Sequence, residues 1–118
     1  MSGREIKKIV NNISQEMNIK RQLFVRIVPF RRKIASVSFV SGMLRLNRDF
    51  INLASNSLLK YIIIHELVHI KLEHLYHNDE FYEEMKKYFQ KGIDSYDQRV
   101  YKLIVKLNRN SNLKIIYA

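Results

Sequence analysis

Leu58-Leu59-Lys60-Tyr61-Ile62-Ile63-Ile64-His65-Glu66-Leu67-Val68-His69-Ile70-Lys71-Leu72-Glu73-His74 is the stretch on which the reading of this 118-residue chain turns. Leu59, Ile62, Ile63, Leu67 and Ile70 recur at the spacing of a buried helical face. Into that apolar run the chain inserts His65, Glu66 and His69. Two imidazoles four residues apart on a helix project from one side and can share a single Zn²⁺. The intervening glutamate then stands beside the open coordination position as a general base. The pattern therefore points to a zinc-dependent hydrolase with His65 and His69 as ligands and Glu66 as proton acceptor.

A catalytic zinc takes three protein ligands and keeps one position open, so a third ligand is required. All four histidines of the chain lie between His65 and His77, and His77 is the candidate. On an unbroken helix it would sit about 80° around and roughly 12 Å beyond His69. The helix is therefore expected to end near His74 and the chain to double back, with Asn78 and Asp79 opening a new helix. Other donors remain open. His74 falls on the side of the helix opposite His65 and suits a surface or packing role unless the helix ends early. Glu83 and Glu84 can serve from the following helix, and Glu73 suits a partner of a ligand better than a ligand. Seven tyrosines and Arg99 offer oxyanion donors without singling one out.

Composition sets the frame. The chain is 47% hydrophobic with three glycines and one proline, has no repeat or linker-like stretch, and is expected to form one domain over residues 1–118. Cysteine is absent, so disulfides and thiolate ligands are excluded and a metal must be held by His, Asp or Glu. The start MSGREIKKIV has no apolar core of a signal peptide, and the longest apolar run is broken by the histidines. A cytoplasmic protein without a membrane span is expected. The net charge is +10, and no acid lies between Met17 and Arg48. Arg31, Arg32 and Lys33, with a stripe of Arg99, Lys102, Lys106 and Arg109, present either solvated basic faces or a surface for nucleic acid. The oligomeric state is not encoded in any recognisable pattern.

The element order indicates an α+β fold. Ile6, Ile9, Val10, Ile13 and Met17 form the stripe of an N-terminal amphipathic helix. Leu23 to Val28 alternate as a strand closed by Pro29, and Ser36 to Val40 and Met43 to Asn47 flank a Ser41-Gly42 turn. Asn47, Asp49, Ser55 and Ser57 are turn formers and caps ahead of the Leu58–His74 helix. In the next helix Phe81, Met85, Tyr88 and Phe89 face the core, and Glu80, Glu83 and Glu84 face out. Gly92 ends that helix and Asp94 caps a last one with Tyr96, Val100, Leu103, Ile104 and Leu107 inside. Leu113 to Tyr117 fits a short strand or a packed tail. A small antiparallel or mixed three-stranded sheet follows from this order.

Three blocks carry a family resemblance. Ala35-Ser36-Val37-Ser38 with Ser41-Gly42-Met43-Leu44-Arg45-Leu46-Asn47 forms one, Leu59 to His69 the second, and His77-Asn78-Asp79-Glu80-Phe81-Tyr82 the third. Together they resemble the YgjP-like metallopeptidases, minimal zincins related to SprT-like and WLM proteases. Departures from the pattern are Asn78 for serine, Tyr82 for tryptophan and two extra residues between His69 and His77. The resemblance implies a zinc metallopeptidase with one Zn²⁺ per chain, His77 as third ligand and a polypeptide substrate. It also implies substrate addition at a sheet edge, here Ile34 to Phe39, and allows nucleic acid as a location or activator. Two other functions compete: a metal-dependent nuclease, and a non-catalytic nucleic-acid-binding or regulatory module stapled by zinc.

Overall fold

A computed structural model describes residues 2–89, 92–110 and 113–116 of the chain. The first helix, α1 (Gly3–Glu16), is started by Ser2, whose side chain accepts the Glu5 N–H while the Glu5 carboxylate accepts from Ser2 in return. Its stripe is buried as the spacing predicts, with Ile6, Val10, Ile13 and Met17 in the core. Strands β1 (Phe24–Val28), β2 (Ala35–Val37) and β3 (Met43–Asn47) follow, then α2 (Arg48–Leu53), α3 (Asn56–Leu72), α4 (Asp79–Tyr88) and α5 (Ile93–Asn110). The radius of gyration is 13.6 Å, against roughly 13.5 Å for a compact chain of this length.

The sheet is mixed, in the order β1-β3-β2, with β3 parallel to β1 and antiparallel to β2. Because side chains alternate, Val25, Ile27, Leu44, Leu46 and Val37 share the inner face, where α1 lies against β1 and α3 against β2. Gly42 turns the chain between β2 and β3 at φ 72°, and a Cβ there would lie 2.7 Å from the Gln22 carbonyl. This is a position for glycine alone. The β2 run is shorter than expected: Ser38 to Val40 belong to the turn, with Gly42 N–H donating to Ser38 O at 3.0 Å.

Other differences have local causes. The six-residue α2 was not foreseen, because a run that short cannot display a helical period; its Phe50 and Ile51 are buried. α3 begins at Asn56 on a Ser55 cap and ends at Leu72, two residues before His74. α4 ends at Tyr88 with Phe89 as its cap residue, and Asp94 sits inside the first turn of α5, where its charge suits the helix dipole, instead of capping it. Residues 113–116 form a packed tail. Lys114 and Ile116 donate backbone N–H groups to the carbonyls of Arg31 and Arg32, and the Asn108 amide clasps Ile115 on both sides. Tyr117, the end of the expected segment, lies outside the described residues. No described helix is long and apolar enough to cross a membrane.

Asn47 joins these parts. It is fully buried, accepts the N–H groups of Asp49 and Phe50 at 2.8 and 3.1 Å as the cap of α2, and donates to the carbonyls of Phe30 and Lys33 at 3.2 and 2.7 Å. One amide thus satisfies a helix start and the loop leading into β2. Asn47→Ala is expected to cost about 3 kcal/mol, the sum of a lost cap and two stranded carbonyls. Chemical denaturation checks it, and a loss below about 0.5 kcal/mol, the size of an ordinary surface change, would remove Asn47 from this role.

Candidate metal centre

α3 is largely apolar, with Asn56, Ser57, Lys60 and Lys71 exposed, and it encloses three polar side chains. His65, Glu66 and His69 are 6%, 8% and 3% exposed. The helix stops because Glu73 adopts the left-handed conformation, φ 58° and ψ 35°. The chain reverses there and re-enters a helix at Asn78, whose side chain accepts the Phe81 N–H at 3.1 Å. The reversal carries His77 back over α3, as its candidacy requires.

The three imidazoles converge. Each of His65, His69 and His77 offers one ring nitrogen, all within 4.8 Å of one another, and Nε2 of His69 lies 3.2 Å from Nε2 of His77. Tetrahedral nitrogen ligands of zinc stand about 3.3 Å apart. Phe81, 1% exposed, forms the bed of the cluster, with its ring centroid 5.0, 4.7 and 4.8 Å from the three imidazoles. The Glu66 carboxylate is 3.5 Å from Nδ1 of His65.

The loop between α3 and α4 is held by His74, which is half-buried and not a member of the cluster. Its carbonyl accepts Nδ1–H of His69 at 3.0 Å, so the His69 lone pair is on Nε2 and aimed at His77. Its own ring accepts the Tyr76 N–H on Nδ1 and donates Nε2–H to Glu80 at 2.9 Å. Burial pulls the His69 pKa down to about 4, and burial together with His65 lowers that of His77. These rings are neutral near pH 7, the form that binds a metal. The donor set, its spacing and its protonation fit a single divalent ion of the zinc type.

The remaining candidates are accounted for elsewhere. Glu83 is exposed beside Lys86 at 3.3 Å. Glu84, expected on the outer side of α4, is buried and bound to Lys71 at 3.0 Å and Lys87 at 2.6 Å; burial pushes its carboxyl up, but the two lysines outweigh that and hold it low. Glu73 is exposed and caps α3, so it supports no ligand. Arg99 lies over the Tyr96 ring and donates to Ser55, which withdraws it as an oxyanion donor. Among the described residues no tyrosine lines the cleft beside the histidines. That cleft, of about 240 Å³, has Ala35 to Val37 as one wall and Leu75 and Ile116 on its other borders. A hollow of about 620 Å³ between the end of α1 and the start of β1 shares no residue with it.

The sequence reasoning missed two contributors. Phe81 was visible as a core position and as part of the His77 block, without its place against all three imidazoles, and the His74 carbonyl carries no side-chain signal at all.

Comparison with known proteins gives consistent results. A family model described as YgjP-like, metallopeptidase domain, matches residues 2–100. An uncharacterized protein of Methanocaldococcus jannaschii is 39% identical over 88% of this chain and 93% of its own length. One from Aquifex aeolicus is 31% identical over 68% of this chain and 72% of its own. The crystal structure of the metallopeptidase zymogen of M. jannaschii jannalysin aligns with a TM-score of 0.77 at 38% identity, covering 82% of this chain and 94% of that one. The zymogen of Pyrococcus abyssi abylysin aligns with a TM-score of 0.71 at 27% identity, covering 94% and 99%.

The depressed pKa of His69 has a sign that stability measurements read. The unfolded chain takes up its proton near the ordinary 6.5 and the folded chain near 4. Stability from this residue is thus complete above 6.5 and is lost as pH falls through 4. The loss is on the order of 3 kcal/mol. In metal-free protein, His69→Gln is expected to flatten the fall in unfolding free energy between pH 7 and 4. A variant profile parallel to the parent's would contradict the assignment.

Proposed function

The chain belongs to the YgjP-like metallopeptidase family, and from that premise we propose that its 118 residues act as one zinc peptidase domain. In this reading His65, His69 and His77 hold the metal and Glu66 is the general base. The observation that carries the reading is the convergence of three ring nitrogens within 4.8 Å on the wall of a cleft that Glu66 also lines.

When bound, zinc supplies Lewis acidity, polarising the scissile carbonyl and lowering the pKa of the attacking water toward 7. The protein's own groups do the rest. Glu66, one residue along α3 from His65, receives the proton of that water on a carboxylate oxygen and delivers it to the departing amine nitrogen. Its near-complete burial keeps competing water away and strengthens its electrostatic pull. His74, through its carbonyl, fixes the His69 ring so that the correct nitrogen faces the site.

The substrate is a polypeptide, bound extended along β2. That strand is at the edge of the sheet, so its outer backbone groups are open to a further strand, and it walls the same cleft. Ile116 shares this cleft, while its backbone N–H is fastened to Arg32. Both solved relatives are described as zymogens. We extend that description to this chain, with the tail narrowing access to β2. The absence of cysteine suits a reducing compartment, and we place the protein in the cytoplasm on that ground.

Zinc-loaded protein is expected to cleave an unfolded polypeptide. Glu66→Gln lowers the rate about 10³-fold with zinc and fold retained, the size of a lost general base. His77→Ala instead lowers zinc content, read by elemental mass spectrometry. Full activity in Glu66→Gln would refute the mechanism, and one equivalent of tightly held zinc in His77→Ala would refute the ligand set. Ile116→Gly, which removes one side chain from the border of the cleft while leaving Ile115 anchored, is expected to raise cleavage severalfold. An unchanged or lower rate would place the tail outside regulation.

A further inference from the structure

The outer face of the sheet is unlike the rest of the surface. The alternation that sends Leu44 and Leu46 inward sends Phe24, Arg26, Met43, Arg45 and Ser36 to the other side. The register places Phe24 beside Met43, Arg26 beside Arg45, and Arg45 beside Ser36. Phe24 is 46% exposed, Arg26 is exposed and Arg45 is half-buried. Among the described residues no helix is seen across this face: α1 packs against β1 and α3 against β2 on the inner side.

Two arginines directly across from one another on neighbouring strands, about 4.8 Å apart in backbone, repel and cost stability. Elsewhere the chain neutralises such charge, as Glu84 does for Lys71 and Lys87. Here neither Arg26 nor Arg45 forms an ion pair or hydrogen bond with any described residue, and no acid occurs between Met17 and Arg48. Arg31, Arg32 and Lys33 are exposed in the loop that joins β1 to β2. The face thus combines paired guanidinium forks, which grip phosphate, with an open aromatic ring at their side.

We propose that this face binds single-stranded nucleic acid, the Arg26–Arg45 pair holding the backbone and Phe24 stacking a base. Charge complementarity selects a polyanion, and the exposed ring selects one with unstacked π-faces, which a duplex withholds and an acidic peptide lacks. The sequence pointed to Arg31, Arg32 and Lys33 together with the α5 stripe; the assignment moves the surface to the sheet, since on α5 Arg99 is already engaged with Tyr96 and Ser55. It does not rest on the peptidase reading: Phe24, Arg26 and Arg45 do not line the histidine cleft, although Ser36 and Lys33 border it.

Fluorescence anisotropy of a labelled 16-nucleotide oligouridine with the full chain, from 50 to 200 mM KCl, tests it. The expected result is binding whose dependence on salt falls by about 1.4 in log-log slope for Arg26→Gln/Arg45→Gln, two phosphate contacts being lost. Affinity then falls at least about tenfold at 50 mM salt. Phe24→Ala weakens binding roughly fivefold or more with the slope unchanged, which marks stacking. Lys102→Gln/Lys106→Gln on α5 leaves binding within about twofold, since the sheet face keeps both phosphate contacts. No binding at 50 mM, a loss confined to the α5 variant, or an unaffected Phe24→Ala would overturn the proposal. So would displacement of the oligouridine by oligoglutamate of equal charge, which would assign the face to acidic polypeptide.

Discussion

The structure is organised around a largely buried helix that encloses two imidazoles and a carboxylate. Leaving His65, Glu66 and His69 in an apolar interior is costly unless each is paired, neutral or metal-bound. The protein meets that cost by geometry. His69 is neutral and bonded to a backbone carbonyl, His65 and Glu66 border the cleft, and the sheet edge and the α3–α4 loop stand around them. The sheet and α1 cover the apolar sides of α3, and α4 and α5 cover what remains. A polar face so enclosed is the candidate site of this chain.

Closing that site depends on one backbone event, the left-handed turn at Glu73. Were α3 to continue, His77 would travel about 12 Å past His69. Instead the helix ends at Leu72, and His74 holds the reversal in three directions: to His69 through its carbonyl, to Tyr76 through Nδ1 and to Glu80 through Nε2. The Asn78 cap then aims α4 so that Phe81 slides beneath all three imidazoles. His74, itself a possible ligand by sequence, is therefore the brace of the loop that carries the candidate third ligand, His77.

What the sequence disclosed and what it hid divide along a physical line. Periodicities of 3.6 and 2 are local, so α1, α3 and the strands were legible, as was the need for a helix break before His77. The pairing of β1 with β3 in parallel was not, because strand order is decided by long-range contacts that leave no local trace. Asn47 read only as a turn former or cap, since the carbonyls that accept from its amide, on Phe30 and Lys33, lie 17 and 14 residues away. Glu84 read as exposed because helical spacing gives a face but not what covers it; Lys71 from α3 reaches across to neutralise it. The metal-ligand candidates were legible for the opposite reason, as chemistry constrains residue type and spacing together.

Charge is segregated in the same structure, and the segregation has a physical basis. The acids lie in or beside helices, where Glu5, Asp49, Asp79 and Asp94 stand in first turns, Glu84 pairs with lysines, Glu80 with His74, and Asp97 accepts from Tyr61. Strand segments cannot use acids in that way, since they offer no dipole end to stabilise a carboxylate, and a strand only five residues long has few positions to give. The region from Met17 to Arg48 is therefore free to become uniformly basic. With a net charge of +10, its field adds to that of the α5 stripe and attracts polyanions before any contact is made. Contact geometry then decides which face retains them. The register fixes the backbone spacing of Arg26 and Arg45, and their planar guanidinium forks lose less freedom per hydrogen bond than the ammonium groups of Lys102 and Lys106 on α5.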